Sequence, residues 1–227
     1  MKKQSEKDRV KKLLQAKSTV HIDLGCGENK RPGSIGVDFR QVEGVDIVQD
    51  LTMFPWKNIP DECADVVMAS HVLEHISPLS SDPRVAALIK LLTKKKVLTA
   101  NEVKEYIGDY EFLGGFVRFM DEIWRILKKD GQLIFSVPFA GSPGFWQDPT
   151  HVNPMTHVTL AYFDPLAKDK AGNQYHLYTI YRPKPYKLQT CFYDTNGFME
   201  IAMNKRQIDP SYKTLEDTLV DKKLKKD

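Results

Sequence analysis

The chain has no run of about 18 apolar residues, so no membrane-spanning helix is expected. Cysteine is scarce. Cys26, Cys63 and Cys191 form no C-x-x-C pair, and an odd, small count suits a reducing cytoplasm rather than a disulfide scaffold. The basic N-terminus, Met1 to Lys17, lacks the apolar core of a secretory signal, so none is expected. Internal repeats and low-complexity stretches are also missing. Net charge is small: 33 Lys and Arg against 30 Asp and Glu leave +3, too little to mark the whole chain as an anion binder. The lysines that stand out gather at the ends, as in Lys222-Lys223-Leu224-Lys225-Lys226, and read as solvated tails.

What is present centres on Thr19 to Asp38. Val20, Ile22 and Leu24 form an apolar run that reads as a buried strand. Gly25-Cys26-Gly27 then breaks it, and glycine lets the backbone turn tightly and approach a ligand closely. A second short run, Ile35-Gly36-Val37, ends in Asp38, a carboxylate placed to accept from two ribose hydroxyls. The dinucleotide fingerprint G-x-G-x-x-G is not met, because Glu28, Asn29 and Lys30 follow Gly27. Asp23, two residues before the first glycine, suits a ligand with a cationic amino group and would repel a pyrophosphate.

The D-x-G-x-G run of Asp23 to Gly27 resembles motif I of the class I S-adenosylmethionine-dependent methyltransferases, especially small type 11-like members. The resemblance implies an α/β, Rossmann-like, seven-stranded mixed sheet with an antiparallel final strand. It also implies S-adenosylmethionine as cofactor, with S-adenosylhomocysteine as product. Asp23, Gly25, Cys26 and Gly27 would cradle the methionine part, and Asp38 with Phe39 the ribose side. Asp50 and Leu51, after the expected third strand Val45 to Gln49, would meet the adenine; Asp50 also reads as a turn residue.

Two departures from the family plan stand out. Eight residues separate Gly27 from Gly36, whereas a parallel crossover with its helix needs about 10–12 or more. A shortened first helix, one turn or an irregular loop, is therefore expected. A helical insertion over 77–115 follows the fourth strand, Ala64 to Ala69, with helices expected over 85–92 and 102–110. It would serve as a lid, a substrate wall or a homodimer contact. The division is then a basic helix at 1–18, a methyltransferase domain at 19–206 and a polar, lysine-rich tail at 207–227.

The chemistry should lie beyond the carboxyl ends of the strands. Ser70 and His71, with Glu74 and His75 close behind, follow strand four, and the resemblance places Ser70 and His71 at the cofactor. His71 and His75 would share one helical face, but no zinc signature accompanies them and no metal is expected. The amphipathic helix Phe116 to Lys129 leads to a fifth strand, Gln132 to Pro138. After it, Asp148-Pro149-Thr150-His151 resembles a stretch on the family's substrate side. His151 is the candidate base, Asp148 its orienting partner and His71 a further catalytic candidate; Asp148 and His151 read equally as a pair that only fixes the loop by hydrogen bonds. Two runs around Asn196-Gly197 read as a closing hairpin.

The expected reaction is methyl transfer to an oxygen or nitrogen of a small molecule, a sugar or nucleotide-linked metabolite. The sequence lacks both the D/N-P-P-Y/F run of amino-directed nucleic-acid enzymes and a Pro-Cys pair. A nucleic-acid acceptor, DNA or RNA, is the first alternative; a non-catalytic cofactor-binding subunit is the second.

Overall fold

The computed structural model describes residues 5–76, 115–172 and 183–207. The expected helices at 85–92 and 102–110, the dimer contact through the insertion and the tail beyond Gln207 lie outside these residues.

Helix α1 (Glu6–Gln15) starts where Ser5 accepts from the Asp8 amide, and it buries Val10 and Leu14. Four parallel strands follow: β1 (His21–Leu24), β2 (Ile35–Asp38), β3 (Ile47–Val48) and β4 (Ala64–Ser70). A single 3₁₀ turn, Leu73–His75, comes after β4. Helix α2 (Gly115–Ile126) leads into β5 (Leu127–Pro138). The short helices α3 (Pro143–Gln147) and α4 (His157–Ala161) precede the hairpin β6 (Tyr186–Tyr193) and β7 (Phe198–Lys205). No helix among the described residues is long and apolar enough to cross a membrane.

The seven strands form one mixed sheet in the order β3-β2-β1-β4-β5-β7-β6. β1 to β5 run parallel, and β7 is antiparallel to both β5 and β6. This is the expected Rossmann-like sheet. Strand order reverses between β1 and β4, and Leu24 faces Val37 on one side and Ala69 on the other. Two strand exits therefore diverge at one rim, which is where open α/β sheets bind ligands.

The α2 stripe Phe119, Met120, Ile123 and Ile126 is fully buried. Trp56 is fully buried too and meets Phe119 edge-on at 5.4 Å. Its amide donates to Glu122 at 2.8 Å, tying the β3–β4 connection to α2.

Two boundaries differ from the sequence reading. β3 is only Ile47–Val48; the Asp46 amide just before it still donates to the Gly36 carbonyl at 2.9 Å, while the Asp46 carboxylate binds Lys30 at 2.9 Å and the Gly36 amide at 2.8 Å. α2 stops at Ile126 rather than Lys129. Leu127 already pairs with Ala64, and the chain bulges before Gln132 pairs with Val66. Asp130 takes a positive φ of 61° in that bulge, and Lys128 pairs with Asp65 at 2.8 Å instead of finishing the helix. The hairpin turn runs over 194–197, where the Asp194 carboxylate accepts from the amides of Asn196 and Phe198. Between β1 and β2 there is no helix, in line with the short spacing.

Candidate functional site

The β1–β2 turn is built from the backbone. Gly25 has φ 64°, and its amide donates to Val37 at 2.7 Å. A Cβ there would stand 2.4 Å from a methyl of Val72, so only glycine fits. The Gly27 amide donates to Asp38 at 3.0 Å. Buried carboxylates need partners, and both have them. Asp23 accepts from the Arg31 amide at 2.8 Å and from its guanidinium at 2.7 Å. Asp38 also accepts from the Arg40 amide at 2.9 Å.

A cleft of about 590 Å³ opens here, lined by Asp23, the 25–29 loop, Arg31, Arg40 and Ser70. Five of the residues predicted for the cofactor, Asp23, Gly25, Cys26, Gly27 and Ser70, thus meet at one cavity. Asp38 reaches it through Gly27 and Arg40. Phe39 points outward, 68% exposed, with the Arg40 guanidinium 5.5 Å over its ring. Asp50 and Leu51 are not brought to this cavity. Asp50 caps its own turn, accepting from the Thr52 amide and hydroxyl, and Leu51 is buried in the core. Arg31 and Arg40 were missed by the sequence reading. The signal available was physical: a carboxylate beside a buried strand requires a cation or amide donors. Burial, with Asp23 and Asp38 nearby, pushes the Cys26 thiol up to about 11, so it is no nucleophile at neutral pH.

A second constellation lies after β4. His71 has a positive φ of 55°, and its amide donates to the Ser136 carbonyl at 2.9 Å. Its ring meets Phe198 edge-on, and its Nδ1 is 3.1 Å from Glu74 Oε1. That hydrogen bond raises the imidazole pKa, against the opposing effect of burial. The Glu74 carbonyl accepts from the amides of Val152 and Asn153 at 2.8 and 3.1 Å. The Asp148–His151 loop is therefore laced to the turn after β4. His75 and His151 rings lie 4.7 Å apart.

The His151 ring is oriented by a group the sequence did not suggest. Its Nδ1 lies 2.8 Å from the Phe145 carbonyl, which can only accept. Asp148 Oδ2 stays 3.7 Å from Nε2, too far to hold the imidazole. Asp148 instead accepts from the Thr150 amide and hydroxyl at 2.8 and 2.6 Å, which keeps its carboxyl below the usual range. Of the aromatic residues nearby, Phe145 is buried beside His151 and Trp146 is exposed.

No protein-family model matches the sequence, and no curated protein does. Solved structures give distant matches, all to methyltransferases among those compared below. The antibiotic-resistance methyltransferase Kmr is 13% identical, over 89% of this chain and 94% of its own, at a TM-score of 0.47. A SAM dependent methyltransferase from Archaeoglobus fulgidus is 18% identical over 88% and 95%, at 0.45. A mutant 16S rRNA (adenine(1408)-N(1))-methyltransferase from Catenulisporales acidiphilia, solved with cosubstrate SAM, is 11% identical over 88% and 90%, at 0.43.

Proposed function

We propose that this chain is an S-adenosylmethionine-dependent methyltransferase whose catalytic domain is 19–206 and whose acceptor is an oxygen or nitrogen of a small molecule. One observation carries the reading: Asp23 and Arg31 stand side by side on a glycine turn at the sheet's reversal point. An α-amino acid head offers one ammonium and one carboxylate, and this pair offers one partner for each. The donor set fits the methionine end of the cofactor. Asp38, at the end of β2, is the acid for the ribose hydroxyls. With Asp23, Asp38 and Glu28 around the turn, a pyrophosphate is poorly served.

S-adenosylmethionine supplies a methyl on a sulfonium, already a strong electrophile. The chain's own residues bind, align and exclude water. Asp23, which now accepts from the Arg31 guanidinium at 2.7 Å, would hold the cofactor's ammonium, and Arg31 would hold its carboxylate. On this reading His71 and His151 serve the acceptor, and in the neutral ring His151 Nε2 carries a lone pair because Nδ1 donates to the Phe145 carbonyl.

Calorimetric titration with S-adenosylmethionine, S-adenosylhomocysteine and NAD tests the cofactor. The two sulfur nucleosides should bind and NAD should not. Binding of NAD alone would overturn the reading. Label transfer to metabolite and oligonucleotide panels then separates a small-molecule acceptor from DNA or RNA, the alternative acceptors.

A further inference from the structure

We propose that Glu74, His75 and His151 form a binding site for a divalent transition-metal cation. Among the described residues these three make up the cluster of ligating side chains whose donor atoms all lie within 4.8 Å of one another. Around a tetrahedral ion with bonds of about 2.0–2.2 Å the donor atoms lie about 3.3–3.6 Å apart, so the side chains close inward by up to about 1.5 Å to complete the set.

Four features point to an ion rather than to chance proximity. Glu74 is fully buried, and its Oε2 has no hydrogen-bond partner among the described residues, an uncommon and costly state for a carboxylate oxygen. Its other oxygen, Oε1, already holds His71. His151 donates from Nδ1 to the Phe145 carbonyl, which leaves the Nε2 lone pair free to ligate. His75 follows the same logic. The Thr150 hydroxyl donates to Asp148, so it accepts from His75 Nδ1 at 3.0 Å, and His75 also keeps its lone pair on Nε2. Ligating histidines commonly have their second nitrogen committed to a carbonyl or a carboxylate-linked group in this way. The main-chain bonds from Val152 and Asn153 to Glu74 fix the two halves of the site together.

Two imidazoles and one carboxylate favour manganese, iron, cobalt or zinc over magnesium and calcium, which prefer oxygen throughout. Three protein ligands leave coordination positions open. On the methyl-transfer reading, which this role alone depends on, an acceptor oxygen fills one of them and is made more acidic. His151 then serves as a ligand rather than as a base, and the acceptor's proton, made more acidic by the ion, would leave to solvent water.

The test uses the full chain, stripped with a chelator and titrated with Co²⁺ by visible absorption. One equivalent should bind with ligand-field bands, Zn²⁺ should displace it, and equimolar Mg²⁺ should not. His75→Ala, Glu74→Gln and His151→Ala should each weaken binding at least tenfold, with circular dichroism and melting checking the fold. His75 is exposed, so its replacement leaves the core intact. Absence of a 1:1 cobalt complex, displacement by Mg²⁺, or full affinity in the folded His75→Ala protein would overturn the site. Parallel titration with S-adenosylmethionine keeps the two readings apart: cobalt binding without nucleoside binding sinks the methyl-transfer reading and leaves the metal site standing.

Discussion

At the scale of single residues, charge at the turn decides what the cleft accepts. Asp23→Asn keeps the shape and removes the negative charge. A hydrogen bond to a charged group contributes about 1.5–3 kcal/mol, so the Kd for S-adenosylmethionine should rise at least tenfold by calorimetry. Arg31→Ala should weaken binding of the nucleoside less when its carboxylate is removed, as in a decarboxylated analogue. Asp23, the two glycines and Asp38 were legible because a short motif forces them together in sequence. Arg31 and Arg40 were not, since loop cations follow no period. Asp50 reads two ways because a turn-capping Asx residue and a ligand acid look the same in one sequence.

At the scale of elements, the connections rather than the strands were hard to read. Apolar runs such as Val66 to Ala69, in which Val67 and Ala69 are buried, declare themselves by composition. The α2–β5 junction did not, because Lys128 to Gly131 resembles a helix end and is a bulge inside a strand pair. Likewise, Asp148 and His151 are three apart in sequence, yet the imidazole is held by Phe145. The crossover is tight enough to test. A Cβ on Gly36 would come within 2.7 Å of Cys26 Sγ and the Gly44 carbonyl. Gly36→Ala should therefore cost about 1–3 kcal/mol, read as a lower denaturant midpoint. Trp56→Ala empties a site under α2 and should cost about 3–5 kcal/mol in the same assay.

Across the whole molecule, one half-buried acid, Asp121, should shape the dependence of stability on pH. Burial raises Asp121 from the ordinary 3.8 to about 6, although the Lys184 amide donates to it at 2.8 Å. The folded chain thus holds this proton more tightly than the unfolded chain. Stability from this group is present below about pH 4, is lost as pH rises through about 6, and is level above that. The loss is at most about 3 kcal/mol. Asp121→Asn should flatten that part of the profile in urea melts at pH 4, 5, 6 and 7.

The missing helix between β1 and β2 has a last consequence. Between β1 and β2 no helix terminus points its dipole into the cleft, so attraction for a carboxylate is lent there by the guanidinium groups of Arg31 and Arg40. Such a lock can be rekeyed one tooth at a time. Raising ionic strength should loosen the nucleoside's grip, and exchanging the tooth at Arg31 for an acid should invite polyamine-like guests instead.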